Sequence, residues 1–185
     1  MFRELLLRRV SSFCDLSARQ LDQLEQHYQL MLRWNKVINL TRIDVVEEAV
    51  DRHYAESLFL GANLPLTPLR IADIGSGAGF PGFPVAVLRP DCTVTLIESQ
   101  KRKAVFLKEA SRSVSNVSVV GRRAEEVTEK FDWIISRAVS LKDLERFAGS
   151  LAPNSALLCN DMPSKVKVVI PLPWVSRETS RLVLA

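Results

Sequence analysis

The chain has 185 residues, 25 Lys and Arg against 21 Asp and Glu, and a formal net charge of +4, which fits one domain with an extension. The modestly basic balance permits a nucleic-acid partner without demanding one. No stretch approaches the roughly 18 apolar residues of a membrane span, and MFRELLLRRV lacks the apolar region and cleavage site of a signal peptide, so a cytoplasmic location off the membrane is expected. Cys14, Cys92 and Cys159 are scattered, and His27 and His53 are the only histidines. No pair has metal-ligand spacing, so the thiols read as reduced and no metal is expected.

Residues 2–13 read as a short amphipathic helix. Ser17 with Gln20 forms a capping box that opens a longer one, and Leu21, Leu24, Tyr28 and Leu32 recur at helical spacing as a core stripe. Asp44 with Glu47 forms a second box, starting a helix that carries Arg52, His53, Glu56 and Ser57. His53 and Glu56 share a face, and local sequence alone reads them as a surface pair. Pro65 and Pro68 punctuate the chain, dividing a helical cap, 1–63, from a second unit, 64–185. Strands and helices then alternate. Strands are expected at 70–74, 93–97, 117–120, 131–136 and 155–159, with helices at 84–89, at 101–111 with Ala104, Val105, Leu107 and Ala110 inward, and at 141–151. Extended segments at 166–170 and 181–184, the latter with Trp174, complete the chain. This order predicts an α/β fold, a mostly parallel sheet with helices on both faces.

The stretch RIADIGSGAGFPG, residues 70–82, is a buried strand, a glycine turn and a helix start. Gly75, Gly77 and Gly79 let a ligand lie against bare backbone, and the helix after them is expected to offer free N–H groups. Gly77, Gly79 and Gly82 also match the dinucleotide-binding spacing. Asp73 separates the two readings. A carboxylate beside the turn repels a pyrophosphate and attracts the ammonium and sulfonium of S-adenosylmethionine.

Ligands of an open sheet of this kind bind beyond the carboxyl ends of its strands. Glu98 ends the second strand, roughly 20 residues past the glycines, where an acid accepts from ribose hydroxyls. After the third strand, GRRAEE, residues 121–126, is placed over the adenine, with Arg122 and Arg123 available to phosphates. Arg137 ends an apolar strand, and its charge must find a partner in the cofactor tail or a substrate phosphate. Residues 101–123 hold many bases and one acid, Glu109. Such a run is either a solvated face or an electrostatic track for RNA. The fourth strand carries neither an Asn/Asp-Pro-Pro-aromatic run nor a Pro-Cys nucleophile, so transfer is expected to an atom already nucleophilic. Guanine N7, with a free lone pair and no proton, fits.

The sequence resembles the RsmG (GidB) family of bacterial small-subunit ribosomal RNA methyltransferases, which make 7-methylguanosine. The resemblance rests on Trp34-Asn-Lys with Asn39-Leu-Thr41, His53 with Ser57, residues 73–82, Arg102 with Phe106-Leu107, Arg123-Ala-Glu-Glu126 and Ser136-Arg137-Ala138. It implies a class I, Rossmann-like methyltransferase sheet under a helical cap. It further implies that Gly75, Phe80, Glu98, Ser99, Gln100, Ala124, Glu125 and Arg137 contact S-adenosylmethionine. Asn39, His53, Arg123 and Arg137 are implied at the mouth where guanine enters. The chain departs from the family pattern in Glu56, where an aspartate is usual, and in Leu158-Cys-Asn-Asp161, where a Leu-Lys-Gly run is usual.

The expected function is methyl transfer from S-adenosylmethionine to a guanine N7 of 16S ribosomal RNA, free or in an assembling 30S subunit, by a monomer. Asp73, the glycines and Glu98 hold the cofactor, and Arg123 and Arg137 orient RNA. The alternatives are an NAD(P)-dependent oxidoreductase and a non-catalytic RNA-binding module on the same fold.

Overall fold

The computed structural model describes every residue except Asp44, Ala138, Asp161 and 175–180. The expected Asp44–Glu47 capping box, the Ala138 of the fourth strand's end and the Asp161 of the departure after the fifth strand fall outside the described residues.

Helix α1 spans Phe2–Val10 and α2 spans Ala18–Asn35. The Ser17–Gln20 capping box is present, satisfying donors at the start of α2. Gln20 also donates from its side chain to the Val87 carbonyl at 2.9 Å, tying α2 to the sheet's own helices. The next helical run is not uniform. Helix α3, Val46–Ala49, passes into a π turn, Val50–Ala55, and then α4, Glu56–Ala62.

Strand β1, Arg70–Ile74, leads through the glycine turn to α5, Gly82–Leu88. Then follow β2, Thr93–Ile97, α6, Lys101–Ala110, β3, Val117–Val120, β4, Trp133–Arg137, α7, Leu141–Leu151, and β5, Asn154–Cys159. Strands β6, Val168–Pro171, and β7, Arg181–Leu184, close the chain.

The sheet order is β3-β2-β1-β4-β5-β7-β6. The first five strands are mutually parallel, and β7 runs antiparallel to both neighbours. The expected architecture is therefore present. Burial on both faces explains why β1 and β2 read as apolar runs. Alternate residues of the strands enter two cores. Ile71, Leu96 and Ile135 join the core shared with the N-terminal helices, and Ala72, Ile97 and Ile134 the one under α7. The first core runs from Phe2 to Leu182, so the helical cap and the sheet are packed as one body. Each fully buried Leu or Phe side chain in it contributes about 2 kcal/mol.

Two local expectations are corrected. Val105 points outward, 54% exposed, and Phe106 is buried in its place beside the expected Ala104, Leu107 and Ala110. Helix α1 stops at Val10, three residues short of Phe13. Asn116 is an anchor, its amide lying within 3.1 Å of the carbonyls of Ala86, Arg89 and Cys92. Among the described residues no helix is long and apolar enough to cross a membrane, and no cluster of three or more His, Cys, Asp or Glu could hold a metal ion.

Candidate cofactor and substrate site

The chain order reverses at β1, with β2 on one side and β4 on the other. The crevice beyond their carboxyl ends is where such sheets bind ligands. The turn after β1 holds Gly75, Gly77 and Gly79 at φ of 70°, 57° and 93°, left-handed values that disfavour any side chain. A Cβ on Gly75 would also lie 2.7 Å from Val139 beyond β4.

Most donors of this turn are spent inside the protein. Gly75 and Ser76 donate their N–H groups to the Ile97 carbonyl at 2.9 and 3.1 Å, and Gly79 and Phe80 donate to Ser76 at 2.7 and 3.0 Å. Gly77 donates to Glu98 Oε2 at 2.9 Å, and Gly82, the first residue of α5, to Asp73 Oδ2 at 2.9 Å. The expected helix end with free N–H groups is thus corrected: a carboxylate carried on β1 caps it. A pyrophosphate needs just such donors, so the geometry disfavours the dinucleotide reading.

Asp73 is fully enclosed. Its Oδ1 has no hydrogen-bond partner among the described residues. Burial pushes its pKa up to about 7, offset only in part by Ser76, the Gly82 N–H and Arg137. Glu98 is 6% exposed, and its two oxygens accept from Gly77 and Gln100 at 2.9 and 2.7 Å. Bare backbone at three left-handed glycines, an unmatched carboxylate oxygen below them and a second carboxylate at the end of β2 fit a cationic nucleoside such as S-adenosylmethionine. Ser99 and Gln100 are exposed beside Glu98, Ala124 is buried, and Glu125 is exposed in the short turn after β3.

Arg137, at the end of β4, meets the cap. Its Nη1 donates to the Arg52 carbonyl in the π turn, where widened helical turns recur at functional sites. Its Nη2 lies 2.7 Å from His53 Nδ1, and its guanidinium stands 5.5 Å from the Phe80 ring centroid. His53 stacks on Phe80 with centroids 4.4 Å apart, and its Nε2 lies 2.8 Å from Thr41 Oγ1. Glu56 Oε2 is 3.7 Å from Arg137 Nη1. His53 and Glu56 are 4% and 5% exposed, so the expected surface pair is corrected: the helix that carries them packs this face onto β4. Burial, with Arg137 close by, pushes the His53 pKa down to about 2, and burial pushes Glu56 up to about 7.

A cavity of about 230 Å³ lies between Thr41, His53, Gly75, Gly77, Phe80 and Arg137. A larger one of about 770 Å³ shares His53, Arg137 and Val139 with it. Asn39 and Arg123 line neither and are exposed. The structure therefore unites His53 and Arg137 at the glycine turn and leaves Asn39 and Arg123 outside that cluster. Gly121 packs against α6, where a Cβ on it would lie 3.4 Å from that of Ala104, so the loop with Arg122 and Arg123 flanks this helix. Lys101, Arg102, Lys108 and Arg112 on that rim are exposed.

Asn35 stands within the Trp34-Asn-Lys match, but sequence reasoning gives it no role. Its Oδ1 accepts from Leu40 and Thr41 at 2.9 and 3.0 Å, and its Nδ2 donates to the Thr41 carbonyl at 3.0 Å. Its place just before the Asn39-Leu-Thr41 stretch is the signal that points to it. His27 is missed as well. Its buried ring bonds Tyr54 at 2.7 Å and stacks on Phe83, packing α2 against the turn.

The strand order and the turn define a Rossmann-like methyltransferase fold, which two solved structures share. One is magnesium protoporphyrin IX methyltransferase from Synechocystis with bound S-adenosylmethionine, at a TM-score of 0.59 and 13% identity over 92% of this chain and 97% of that one. The other is Aeropyrum pernix fibrillarin with natively bound S-adenosyl-L-methionine, at 0.55 and 14% over 70% and 73%. These likenesses establish the fold.

The chain belongs to the GidB family, described as rRNA small subunit methyltransferase G, which it matches over residues 20–158. Ribosomal RNA small subunit methyltransferase G of Nitrosospira multiformis is 44% identical over 135 residues, 70% of this chain and 61% of that protein. The Desulforamulus reducens protein of the same name is 38% identical over 143 residues, 72% and 60%, and that of Mycoplasma mycoides is 37% identical over 116 residues, 62% and 85%. The chain spans less than two thirds of the length of the Nitrosospira and Desulforamulus proteins.

Proposed function

We propose that this protein transfers a methyl group from S-adenosylmethionine to N7 of a guanine in 16S ribosomal RNA, as free RNA or within an assembling 30S subunit. The observation that carries the reading is the paired carboxylate arrangement at the switch point. Asp73 keeps an unmatched oxygen beneath a turn whose amide donors are mostly consumed. Such a site attracts a cation and offers little to a phosphate. Family membership supports the same reading.

When bound, the cofactor supplies an electrophilic methyl on a sulfonium. Asp73 and the glycine backbone would hold the methionine end, Glu98 to Gln100 the ribose, and Ala124 and Glu125 the adenine. Arg137, 20% exposed in its side chain, would bind the cofactor carboxylate or a substrate phosphate. Asn39, His53 and Arg123 would stand at the guanine's entrance. Guanine N7 would take the methyl with its own lone pair, the C–S bonding pair would remain with sulfur, and no proton would need to move, so no residue here is asked to act as a base. The chain's contribution is therefore position and exclusion of water. The cap, 1–63, would cover the sheet unit, 64–185, from the substrate side, and the exposed bases of α6 and the β3 loop would attract the RNA backbone.

The test is methyl transfer by purified protein to small-subunit ribosomal RNA from cells lacking it, with 7-methylguanosine mapped on the product. Asp73→Ala and Glu98→Ala are expected to weaken cofactor affinity. Arg123→Glu is expected to abolish activity on RNA while cofactor affinity holds. Unchanged affinity in both acid variants would refute the assignment of the site.

A further inference from the structure

Adenine and guanine present the same N7, with the same free lone pair. Chemistry at that atom cannot choose between them, so the choice must be made at the other edge of the purine. Guanine carries two donors there, N1–H and the 2-amino group, beside the O6 acceptor. Adenine offers an acceptor at N1 and a donor at N6. Enzymes that act on one base read this edge by hydrogen bonds.

The cavity of about 770 Å³ beside the glycine turn has a matching inventory. Among the described residues that line it, Glu56 is the one carboxylate, and Arg52, Arg137 and Lys142 are the cations. Burial raises the Glu56 pKa to about 7, while the Arg137 and Arg52 charges beside it favour the ionised form, and an ionised carboxylate accepts and never donates. It suits guanine's paired donors and opposes adenine's N1, while the cations suit O6. Glu56 is also held at a cost. It is 5% exposed, and the Arg137 guanidinium stands 3.7 Å away, beyond hydrogen-bond length. A carboxylate has about four lone-pair sites, so beside its ion pair with Arg137 Glu56 keeps acceptor capacity for the donors of a ligand.

We propose that Glu56 selects guanine by accepting hydrogen bonds from the N1–H and 2-amino groups of the target base in this cavity. The proposal rests on the methyl-transfer reading above and assigns the specificity of that site. Glu56 lies one helical turn beyond His53, so the base it holds would rest between α4 and the end of β4, with N7 directed at the glycine turn.

The experiment uses small-subunit RNA carrying guanosine, inosine or adenosine at the target position. Inosine keeps N7, O6 and N1–H and lacks only the 2-amino group. The full chain, Glu56→Gln and Glu56→Asp are compared by kcat/KM on each RNA, with cofactor affinity and thermal midpoint measured in parallel. The wild-type chain is expected to prefer guanosine over inosine by about tenfold, the worth of one hydrogen bond to a charged group. Glu56→Gln is expected to lose about tenfold or more on guanosine and to treat guanosine and inosine within about twofold, with cofactor affinity unchanged. Glu56→Asp is expected to keep part of the preference. An active wild-type chain indifferent to the 2-amino group overturns the proposal without any variant. So does a Glu56→Gln variant that slows equally on both RNAs, which would make Glu56 a support for Arg137. A wild-type chain that transfers no methyl to guanosine RNA overturns the reading of function itself, and this proposal with it.

Discussion

His53 Nδ1 lies 2.7 Å from Arg137 Nη2. Arginine has donors and no acceptor, so Nδ1 must present its lone pair and the ring proton must sit on Nε2. Thr41 Oγ1, 2.8 Å away, accepts the hydrogen bond that Nε2–H donates. Burial first, then the Arg137 charge, pushes the ring's pKa down to about 2, so His53 is expected to stay neutral across the physiological range. Nitrogen-15 NMR of the imidazole will show the Nε2–H tautomer with no titration between about pH 5 and 8. A pH–rate inflection that disappears in His53→Gln would contradict this arrangement.

Asp73 predicts a proton linkage. Its carboxyl pKa is pushed up to about 7 by burial, and a cation bound above it favours the ionised form. Cofactor affinity should therefore fall as pH drops through about 7, with proton release on binding near neutrality, measurable by calorimetry in buffers of different ionisation enthalpy. Stability carries the opposite sign. Between about pH 4 and 7 the folded chain holds a proton at Asp73 that the unfolded chain has released, so this contribution declines as pH rises. Asp73→Asn is expected to flatten that slope and to weaken cofactor binding by about tenfold or more.

Gly82 is closed to any side chain. A Cβ there would overlap Leu96 and lie 2.6 Å from Asp73 Oδ2, both fixed on buried strands. Gly82→Ala is expected to lower unfolding free energy by ~1–3 kcal/mol and to displace Asp73 from the turn. Gly149, in α7, has nothing within 4 Å of its would-be Cβ. Gly149→Ala is expected to raise stability by ~0.5–1 kcal/mol. Urea melts of the two variants give the comparison.

Asn35 binds the loop that carries Thr41 with three hydrogen bonds. Asn35→Ala is expected to cost ~1–3 kcal/mol through the unsatisfied groups it leaves. The release of Thr41 from His53 is expected to slow methyl transfer. Asn35→Asp keeps the two acceptor bonds and should fall between, in melting temperature and in rate.

Much of the fold is legible because it is written in local patterns. The Ser17–Gln20 box, the alternation of apolar strands with helices and the glycine turn each act over a few residues, and each stands in the structure as the sequence predicts. Val105 departs from expectation because helical periodicity leaves neighbouring positions of one face ambiguous, and Phe106 takes the core instead. The site is half legible. Arg137 announces itself as a charge at the end of an apolar strand, and Asp73 as an acid ahead of glycines. His53 is pointed to by the family resemblance alone, and Glu56 gives no such signal, since a helical pair three residues apart looks the same in solvent as in a cleft.

The amino-acid sequence by itself determined the order of strands and helices, the left-handed glycines and the family, because propensity, capping and turn chemistry are local. Tertiary structure alone decided that the π turn at 50–55 lies against β4, so that residues 84 apart in the chain share a hydrogen bond. It also decided that most of the turn's amides are spent on Ile97, Glu98 and Asp73. Which donors stay free, and which acids lose their water, depend on how separate elements pack, and no spacing along the chain encodes that distance.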